Sequence, residues 1–278
     1  MRCCELPEVE LVSRALAAHC LGRKVVSAKL LRPGLAPETT PVTFARRLNG
    51  GKFERISRRG KHILLEFDRR YALLAHLRMT GRFQLLPPGY PLPAHTPAFF
   101  KIDDGRRLIF TDQRHFGMMR LVEADKIHHA RELKSLAPEP FSPEFSDDYL
   151  VETLRSTTRT LKEALLDQTK VSGLGNIYAA EAMFLAGVNP SLSAFRLSRA
   201  RVARLRTAIL EVLRASILHG STLNVDPENL EQSYYGGGYH GKWHVYNREG
   251  EPCSRCDSAI KRTVHGARST YYCQKCQR

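Results

Sequence analysis

Hydrophobic positions recur with a helical period at the start of the chain. Val9, Val12 and Leu16 fall on one face of a segment that covers 6–21. Pro7 suits the first turn of a helix, because its missing N–H has no partner there in any case. The pattern therefore predicts an amphipathic helix over this segment.

From position 25 to about 123 the helical period gives way to short apolar runs rich in branched and aromatic residues. The dipeptide Asp104–Gly105 between two of these runs is a strong hairpin signal. Several short strands at this spacing favour an antiparallel sandwich or barrel. The predicted strands cover 62–67, 72–77, 82–86, 98–102 and 108–111.

The pattern changes again at 135–145, where SLAPEPFSPEF carries three prolines and no period. We interpret this segment as a linker between domains. Beyond it a period of 3.6 returns and predicts further helices. They cover 147–156, 160–168, 176–186 and 198–219, and SYYGGGYH at 233–240 is typical of a loop.

The amino-acid composition indicates which kind of partner the protein attracts. Among 278 residues, 43 lysines and arginines face 28 acids, which gives a net charge of +15. A field of this sign attracts polyanions, so nucleic acid is the favoured partner. Charge alone does not separate DNA from RNA or from an acidic membrane surface. Since the first residues lack an apolar signal core and no run nears the roughly 20 residues of a membrane span, we expect a cytoplasmic protein.

Four of the seven cysteines form two pairs near the C-terminus, Cys253 with Cys256 and Cys273 with Cys276. Two Cys-x2-Cys knuckles joined by a hairpin can hold one structural Zn²⁺ with all four positions filled. The alternative is a set of unrelated buried or redox cysteines. The stretch between the pairs predicts a hairpin with a basic tip and contains Lys261, Arg262, His265 and Arg268.

At this point five segments in order resemble bacterial formamidopyrimidine-DNA glycosylase, of the family that also includes endonuclease VIII. The resemblance runs nearly end to end, which makes it far more specific than any single motif. The segments are ELPEVE at 5–10, SRRGKHILLEF at 57–67, HLRMTGRF at 76–83, TDQRHFG at 111–117, and a C-terminal block with SGLGNIYAAEAMF at 172–184, NREGEPCSRC and HGARSTYYCQKC.

This resemblance implies an α+β protein with an N-terminal antiparallel β-sandwich flanked by helices. It also implies a helix–two-turn–helix domain and a zinc-finger β-hairpin, with DNA bound in the cleft between them. The corresponding bounds here are 1–134 for the catalytic sandwich, 135–145 for the linker, 146–242 for the helical domain and 243–278 for the zinc finger.

The activity implied is repair of duplex DNA that contains oxidised bases. The family excises oxidised purines such as 8-oxoguanine and formamidopyrimidines, and then cleaves the strand by β,δ-elimination. The endonuclease VIII group favours oxidised pyrimidines, and the ELPEVE start favours the purine branch. The order of preference among purine lesions stays open. We expect a monomer that is associated with the bacterial nucleoid.

The resemblance assigns catalytic roles to Glu5 and Lys61, and phosphate binding beside the lesion to Arg268. A carboxyl group can protonate the opening sugar, and an amine whose pKa is lowered by neighbouring cations can act near the damaged base. On residue type alone, Lys61 is part of a surface charge run on a strand. The segment 222–243 is expected to cover the extruded base.

The resemblance also assigns the contacts that replace the extruded base. Met79, Arg114 and Phe116 would fill the gap, since a thioether, a cation and a flat ring suit that task. Asn176 would present a helix N-terminus to phosphate, and His95 would contact DNA. On residue type alone, Met79 and Phe116 would be core residues, Asn176 an N-cap and His95 a solvated loop residue.

Cys4 departs from the family pattern, because it stands immediately before Glu5 where the family has an N-terminal proline. The proline amine attacks the sugar and forms a Schiff base. An amide nitrogen at Cys4 is not nucleophilic, and its thiolate cannot form an iminium. Four explanations stay open: a misassigned start, processing that exposes the amine of Cys4, substitution by Lys61 or the Met1 amine, or a protein that binds lesions without cutting.

Overall fold

The computed structural model describes residues 4–68, 70–222 and 243–278. The described chain forms two compact units. One contains 4–68, 70–134 and 220–222, and the other contains 135–219 and 243–278. The segment 135–145 has no helix or strand and belongs to the second unit. In the described ranges, no helix combines the length and apolarity needed to cross a membrane.

The first unit contains two four-stranded antiparallel sheets, as the sandwich prediction requires. Their strand orders are β1-β6-β7-β5 and β2-β3-β4-β8. Every strand predicted from the sequence is present within one residue of its predicted bounds. The strands are β1 Val25–Leu30, β2 Phe53–Arg59, β3 His62–Phe67, β4 Tyr71–His76, β5 Arg82–Leu86, β6 Ala98–Ile102, β7 Arg107–Thr111 and β8 Met118–Glu123.

Helices cover the outer faces of these sheets. Helix α1, Leu6–Cys20, packs on β2 and β3, and helix α2, Pro41–Leu48, packs on β1. This covering explains why β3 and β4 contain continuous apolar runs, since both faces of each strand are buried. The two strands therefore lack the alternation of apolar and polar residues that is typical of a sheet with one solvent-exposed face.

The sequence analysis missed helix α2. Only Phe44 and Leu48 are buried on it, so its apolar face is a single pair one turn apart. Its start signal is nonetheless present, since the Thr40 side chain accepts the N–H of Thr43 and Pro41 occupies the first turn. A helix of eight residues offers too few turns for periodicity to reveal it.

The second unit combines helices with a two-stranded hairpin. Helix α6 is buried on all sides and ends at Gly187, whose φ of 68° lies in the left-handed region that a C-terminal glycine favours. The prediction over 160–168 is too long, because Thr160 is the N-cap and the helix ends at Leu166. The elements are α3 Arg131–Lys134 at the end of the first unit, then α4 Asp147–Arg155, α5 Leu161–Leu166, α6 Asn176–Ala186, α7 Arg199–Leu218, β9 Lys261–His265 and β10 Arg268–Tyr272.

A buried carboxylate joins α6 to the segment that leads into the hairpin. Glu181 is 1% exposed and accepts the backbone N–H groups of His244, Val245 and Tyr246 at 2.8, 3.0 and 2.8 Å. Burial raises the pKa of the Glu181 carboxyl, whereas these three hydrogen bonds oppose the rise. The carboxylate thus supplies the acceptors that an irregular, buried backbone segment needs.

We predict that Glu181→Ala destabilises the protein by about 3 kcal/mol, because three buried N–H groups lose their acceptor. Glu181→Gln should cost less, since one amide oxygen remains. Urea denaturation followed by circular dichroism measures both changes. The control is Glu211→Ala on the exposed face of α7, with an expected change within about 0.5 kcal/mol. Equal effects of Glu181→Ala and Glu211→Ala would contradict the role of this carboxylate.

Candidate active site and metal centre

Hydrogen bonds hold the start of the described chain firmly in the first unit. Cys4 and Glu5 are 8% and 1% exposed, and the Cys4 N–H donates to the carbonyl of Arg78 at 3.1 Å. Glu5 is the N-cap of α1, and its N–H donates to Glu8 Oε2 at 3.0 Å. Glu8 Oε1 in turn accepts the hydroxyl of Thr222 at 2.8 Å. The backbone at Glu5 therefore has a fixed position.

Lys61 lies in the turn between β2 and β3 and is half-buried. Arg58 braces this turn, because it donates to the carbonyl of Gly60 at 2.9 Å and pairs with Glu10 of α1 at 2.8 Å. Burial alone would raise the pKa of Glu10, but Arg58 and Arg14 outweigh it and leave that pKa below its ordinary value. Since Glu10 neutralises Arg58, this arginine adds less positive charge around Lys61 than the sequence suggests.

Arg114 contacts both Met79 and Phe116. Arg114 Nη1 lies 3.3 Å from Met79 Sδ, and its guanidinium carbon lies 4.7 Å from the centroid of the Phe116 ring. Phe116 is 52% exposed and Met79 is half-buried. The core alternative for Phe116 is therefore wrong. His95 lies nearby, exposed, with its ring centroid 5.5 Å from that of His115.

The sequence analysis missed the residue that shapes this loop, Asp112. It is 1% exposed and accepts the N–H of Gly117 at 2.6 Å and that of Arg114 at 3.3 Å. It also accepts the hydroxyl of Thr80, from the segment that carries Met79. A Cβ at Gly117 would lie 2.9 Å from the Phe110 ring. The acid at the second position of TDQRHFG is the signal that could have identified this role.

These groups gather at one end of the second sheet. His62 of β3 pairs with His76 of β4, and His76 pairs with Met118 of β8. Lys61 directly precedes His62. Met79 lies three positions after His76, and Phe116 lies two positions before Met118. The antiparallel register therefore brings together three segments that are far apart in sequence.

A second group of candidate residues lies in the second unit. The Asn176 side chain donates through Nδ2 to the carbonyl of Ser269 at 3.0 Å, and Ser269 follows the exposed Arg268. The N-cap of α6 is Gly175, so the interpretation of Asn176 as the N-cap is wrong. Asn176 Oδ1 is buried and has no hydrogen-bond partner among the described residues. The backbone carbonyl of Asn176 accepts the buried Lys162 ammonium at 2.7 Å.

The four C-terminal thiols fit one zinc ion. Their sulfurs lie within 4.8 Å of one another, with Cys253 and Cys276 at 3.9 Å and Cys256 and Cys273 at 3.5 Å. Sulfurs bound at about 2.3 Å to one tetrahedral Zn²⁺ are about 3.8 Å apart. Backbone N–H groups of Arg255 and Cys276 also point at ligand sulfurs at 3.4 Å. All four positions are protein ligands, so such a metal is structural.

The hairpin between the two knuckles is basic, with one exception. Lys261, Arg262 and Arg268 are exposed, and the turn at Gly266–Ala267 has positive φ at both residues. His265 instead is 9% exposed, and its ring nitrogens lie 3.1 Å from the hydroxyls of Ser191 and Thr270. Burial lowers its pKa, so the prediction that it belongs to a charged tip is wrong. The predicted covering segment, 222–243, lies outside the described residues except at its two ends.

Comparison with known proteins places this geometry in a family. The N-terminal domain model of formamidopyrimidine-DNA glycosylase matches residues 3–119, and the H2TH domain model of the same enzyme matches 136–226. A model of the zinc finger found in FPG and IleRS matches 250–278. Together these models account for most of the chain.

Individual relatives match over nearly their full lengths. The formamidopyrimidine-DNA glycosylase of Bacillus licheniformis is 39% identical over 99% of both chains, and that of Desulforamulus reducens is 38% identical over 99% of both. Among solved structures, the complex of Lactococcus lactis Fpg with abasic-site DNA has a TM-score of 0.90 at 32% identity, covering 99% of both chains. A complex of the same protein with FAPY-dG DNA also has a TM-score of 0.90 and covers 98% of this chain and 99% of that one. The chain therefore belongs to the formamidopyrimidine-DNA glycosylase family.

Proposed function

We propose that the protein excises oxidised purines, among them 8-oxoguanine and formamidopyrimidines, from duplex DNA and then cleaves the strand at the abasic site. The observation that carries this proposal is the convergence of Lys61 and the Met79–Arg114–Phe116 contact at one end of a sheet. The fixed position of Glu5 in the same unit supports it. The solved Lactococcus lactis complexes, with abasic-site and FAPY-dG DNA, support the same substrate class.

Base extrusion requires groups that occupy the gap left in the duplex. We assign this task to Met79, Arg114 and Phe116. Phe116 is exposed and flat enough to insert between bases, and the Arg114 guanidinium stacks on it within reach of an orphaned base. Asp112 holds the loop in shape, so the gap-filling residues need little reordering on binding. His95, beside His115, is proposed to contact the backbone.

The second unit is proposed to hold the phosphates that flank the lesion. Asn176 at the start of α6 and Arg268 on the hairpin belong to neighbouring backbone segments, joined by the bond from Asn176 to Ser269. Helix N–H groups and a guanidinium are suited to phosphate oxygens. One structural Zn²⁺ keeps the hairpin folded. This scheme assigns catalysis to 1–134 and DNA binding to 146–242 and 243–278, in a cytoplasmic, nucleoid-associated monomer.

The chemical steps are proposed to use Glu5 as the acid–base and an amine as the nucleophile. Attack of a neutral amine on C1′ breaks the glycosidic bond and, after ring opening, gives a Schiff base that permits β- and δ-elimination. Lys61 carries an amine at the proposed site. The nitrogen of Cys4 becomes a second candidate if the residues before it are removed, because Arg78 already holds that nitrogen in place.

One observation favours a second function, lesion binding without strand cleavage. As an amide, the Cys4 nitrogen donates its hydrogen to the Arg78 carbonyl and has no nucleophilic lone pair. A chain that keeps residues 1–3 would then depend on Lys61 or the Met1 amine. If neither amine reaches the sugar, the protein retains recognition but loses the lyase step.

Borohydride trapping on an 8-oxoguanine duplex distinguishes these functions. We expect a covalent protein–DNA adduct, because reduction converts the Schiff base into a stable amine. Peptide mass spectrometry of the adduct then identifies the nitrogen. Lys61→Met should abolish the adduct if Lys61 is the nucleophile, whereas Lys52→Met, at an exposed position in the same unit, should not. Tight lesion binding with neither adduct nor base release would instead support the binding protein.

We predict that Glu5→Gln lowers the single-turnover rate of base release by about 100-fold or more, because the acid–base group is lost. The amide keeps an oxygen that can accept at the helix N-terminus, so folding should be retained. The matched control is Glu54→Gln on the exposed face of β2, and quench-flow assays give both rates. A rate for Glu5→Gln equal to that of the control would remove Glu5 from the mechanism.

We predict one zinc ion per chain, lost in Cys256→Ser but retained in Cys20→Ala, as measured by elemental mass spectrometry of the purified protein. Loss of the metal should unfold the hairpin, because binding energy supplies its folding energy. Hydrogen exchange should then accelerate over 253–278 and stay unchanged over 62–86. A Cys256→Ser protein with full zinc content would contradict the four-thiolate site.

A further inference from the structure

One face of the sheet β1-β6-β7-β5 carries cations that none of the chemistry proposed above uses. Residues paired across neighbouring antiparallel strands point to the same side of a sheet, so the register defines this face. We call it the cationic face, and its rows hold four cations and no acid. The rows are Ser27–Lys101–Arg107–Leu86, Lys29–Phe99–Ile109–Gln84 and, at one end, Thr111–Arg82.

The two faces of this sheet differ sharply in burial. On the opposite face Phe100 and Leu108 are fully buried and belong to the core. On the cationic face Lys29 and Lys101 are exposed, and Arg107 is half-buried. The sheet therefore separates an apolar side from a charged side that contacts solvent.

The apolar side chains of the cationic face are already covered. Leu86, Phe99 and Ile109 are 6%, 9% and 0% exposed and form a small cluster of their own. The Lys29 ammonium lies 6.0 Å from the centroid of the Phe99 ring. The face therefore offers a partner charge rather than uncovered apolar surface.

An open groove adjoins these cations. Pro88, Tyr90, Lys101 and Arg107 are among the residues that line it. Arg107 donates to the carbonyl of Tyr90, and the Tyr90 side chain is 52% exposed. Lysine, arginine and tyrosine side chains all donate to phosphate oxygens, so the groove adds to the donors of the face.

The chain around β5 and β6 supplies no acid that could neutralise this charge. No aspartate or glutamate occurs over 69–102, although 28 of the 278 residues are acids. Among the described residues, none of Lys29, Lys101 and Arg107 forms an ion pair. Since an ordinary solvated surface mixes both signs of charge, this face is unusual.

The next acids along the chain, at the turn between β6 and β7, have other partners. Asp103 Oδ2 accepts the backbone N–H of Lys24 at 3.1 Å. Asp104 pairs with Arg106 at 2.6 Å and with Arg23 at 3.6 Å. The positive charge of the cationic face is therefore left for a partner from outside the chain.

The spacing of these cations suits the backbone of a DNA duplex. Adjacent strands are about 4.8 Å apart, and a duplex presents one negative charge per about 1.7 Å of its axis. Lys29, Lys101 and Arg107 lie on three neighbouring strands, so one backbone can meet all of them. An acidic peptide would match the charge but would bury little apolar area here. The observations thus favour DNA, the polyanion of the proposed function.

We propose that the cationic face binds the phosphate backbone of a second DNA duplex while the candidate site holds the first, so that the protein passes directly from one DNA segment to another. This inference rests on the proposed function, because the first duplex is the one scanned for lesions. It adds a DNA-binding surface that acts on undamaged DNA and takes no part in excision.

Direct transfer has a kinetic signature. A protein with one DNA-binding surface must release its duplex before it binds another, so its dissociation rate does not depend on the concentration of competitor. With two surfaces a ternary intermediate forms, and dissociation becomes faster as competitor is added. Stopped-flow anisotropy measures this rate when the complex with a fluorescein-labelled, lesion-free duplex is mixed with increasing amounts of unlabelled duplex.

We expect the dissociation rate of the wild-type protein to rise in proportion to competitor concentration. In Lys29→Gln/Lys101→Gln the slope of that dependence should fall by about 5-fold or more, since each exposed charge pair contributes a few-fold in affinity. The logarithmic salt dependence of transfer should also weaken by about one unit per lysine. Lys29→Arg/Lys101→Arg should retain the wild-type behaviour.

A matched control removes the same charge elsewhere. Lys52→Gln/Lys126→Gln changes two exposed lysines of the same unit and should transfer as wild type does. Single-turnover release of 8-oxoguanine from a short duplex should be unchanged in both glutamine variants, because neither pair of lysines belongs to the proposed site.

Three results would overturn the inference. They are a wild-type dissociation rate that is independent of competitor, an equal loss of transfer in the control variant, and acceleration by polyglutamate but not by duplex DNA, which would assign the face to an acidic protein. If wild type releases no base yet shows competitor-dependent transfer, the proposed function fails and the second DNA-binding surface stands.

Discussion

The register between β3 and β4, which sets His62 opposite His76, is the constraint on which the site in the first unit depends. Strand pairing fixes where each strand ends, and the segments beyond those ends carry Lys61, Met79 and Phe116. A shift of one residue would move every side chain of the strand to the other face of the sheet. Helix α1 buries the outer face of β2 and β3. Such a shift would therefore place polar side chains in buried positions on both faces of these strands.

Buried carboxylates hold the irregular segments around this framework. Glu8, Asp112 and Glu181 are each about 1% exposed, and each accepts backbone N–H groups from an irregular segment. A loop held in this way is ordered before any ligand arrives, which lowers the entropy lost on binding. This arrangement occurs in both units. Glu8 and Glu181 lie on helices, whereas Asp112 follows a strand.

The hairpin is too small to form a hydrophobic core of its own, since its two strands contain only ten residues. Four thiolates around one metal, together with a small cluster of apolar side chains from α6, supply its stability. His265 is buried toward Ser191, which ties the hairpin end to the helices of the second unit. The exposed Arg268 therefore lies on a rigid hairpin, which suits the phosphate contact proposed for it.

The sequence alone determined the class of fold, most strand and helix bounds and the four thiol ligands, because periodicity, Cys-x2-Cys spacing and ordered family motifs are local signals. The residues it names for DNA contact stay predictions. It missed helix α2, the role of Asp112 and the burial of His265. Each of these depends on which groups lie opposite one another after folding. Burial, hydrogen-bond partners and proton positions are set by distances between segments far apart in the chain, and only the tertiary structure decides them.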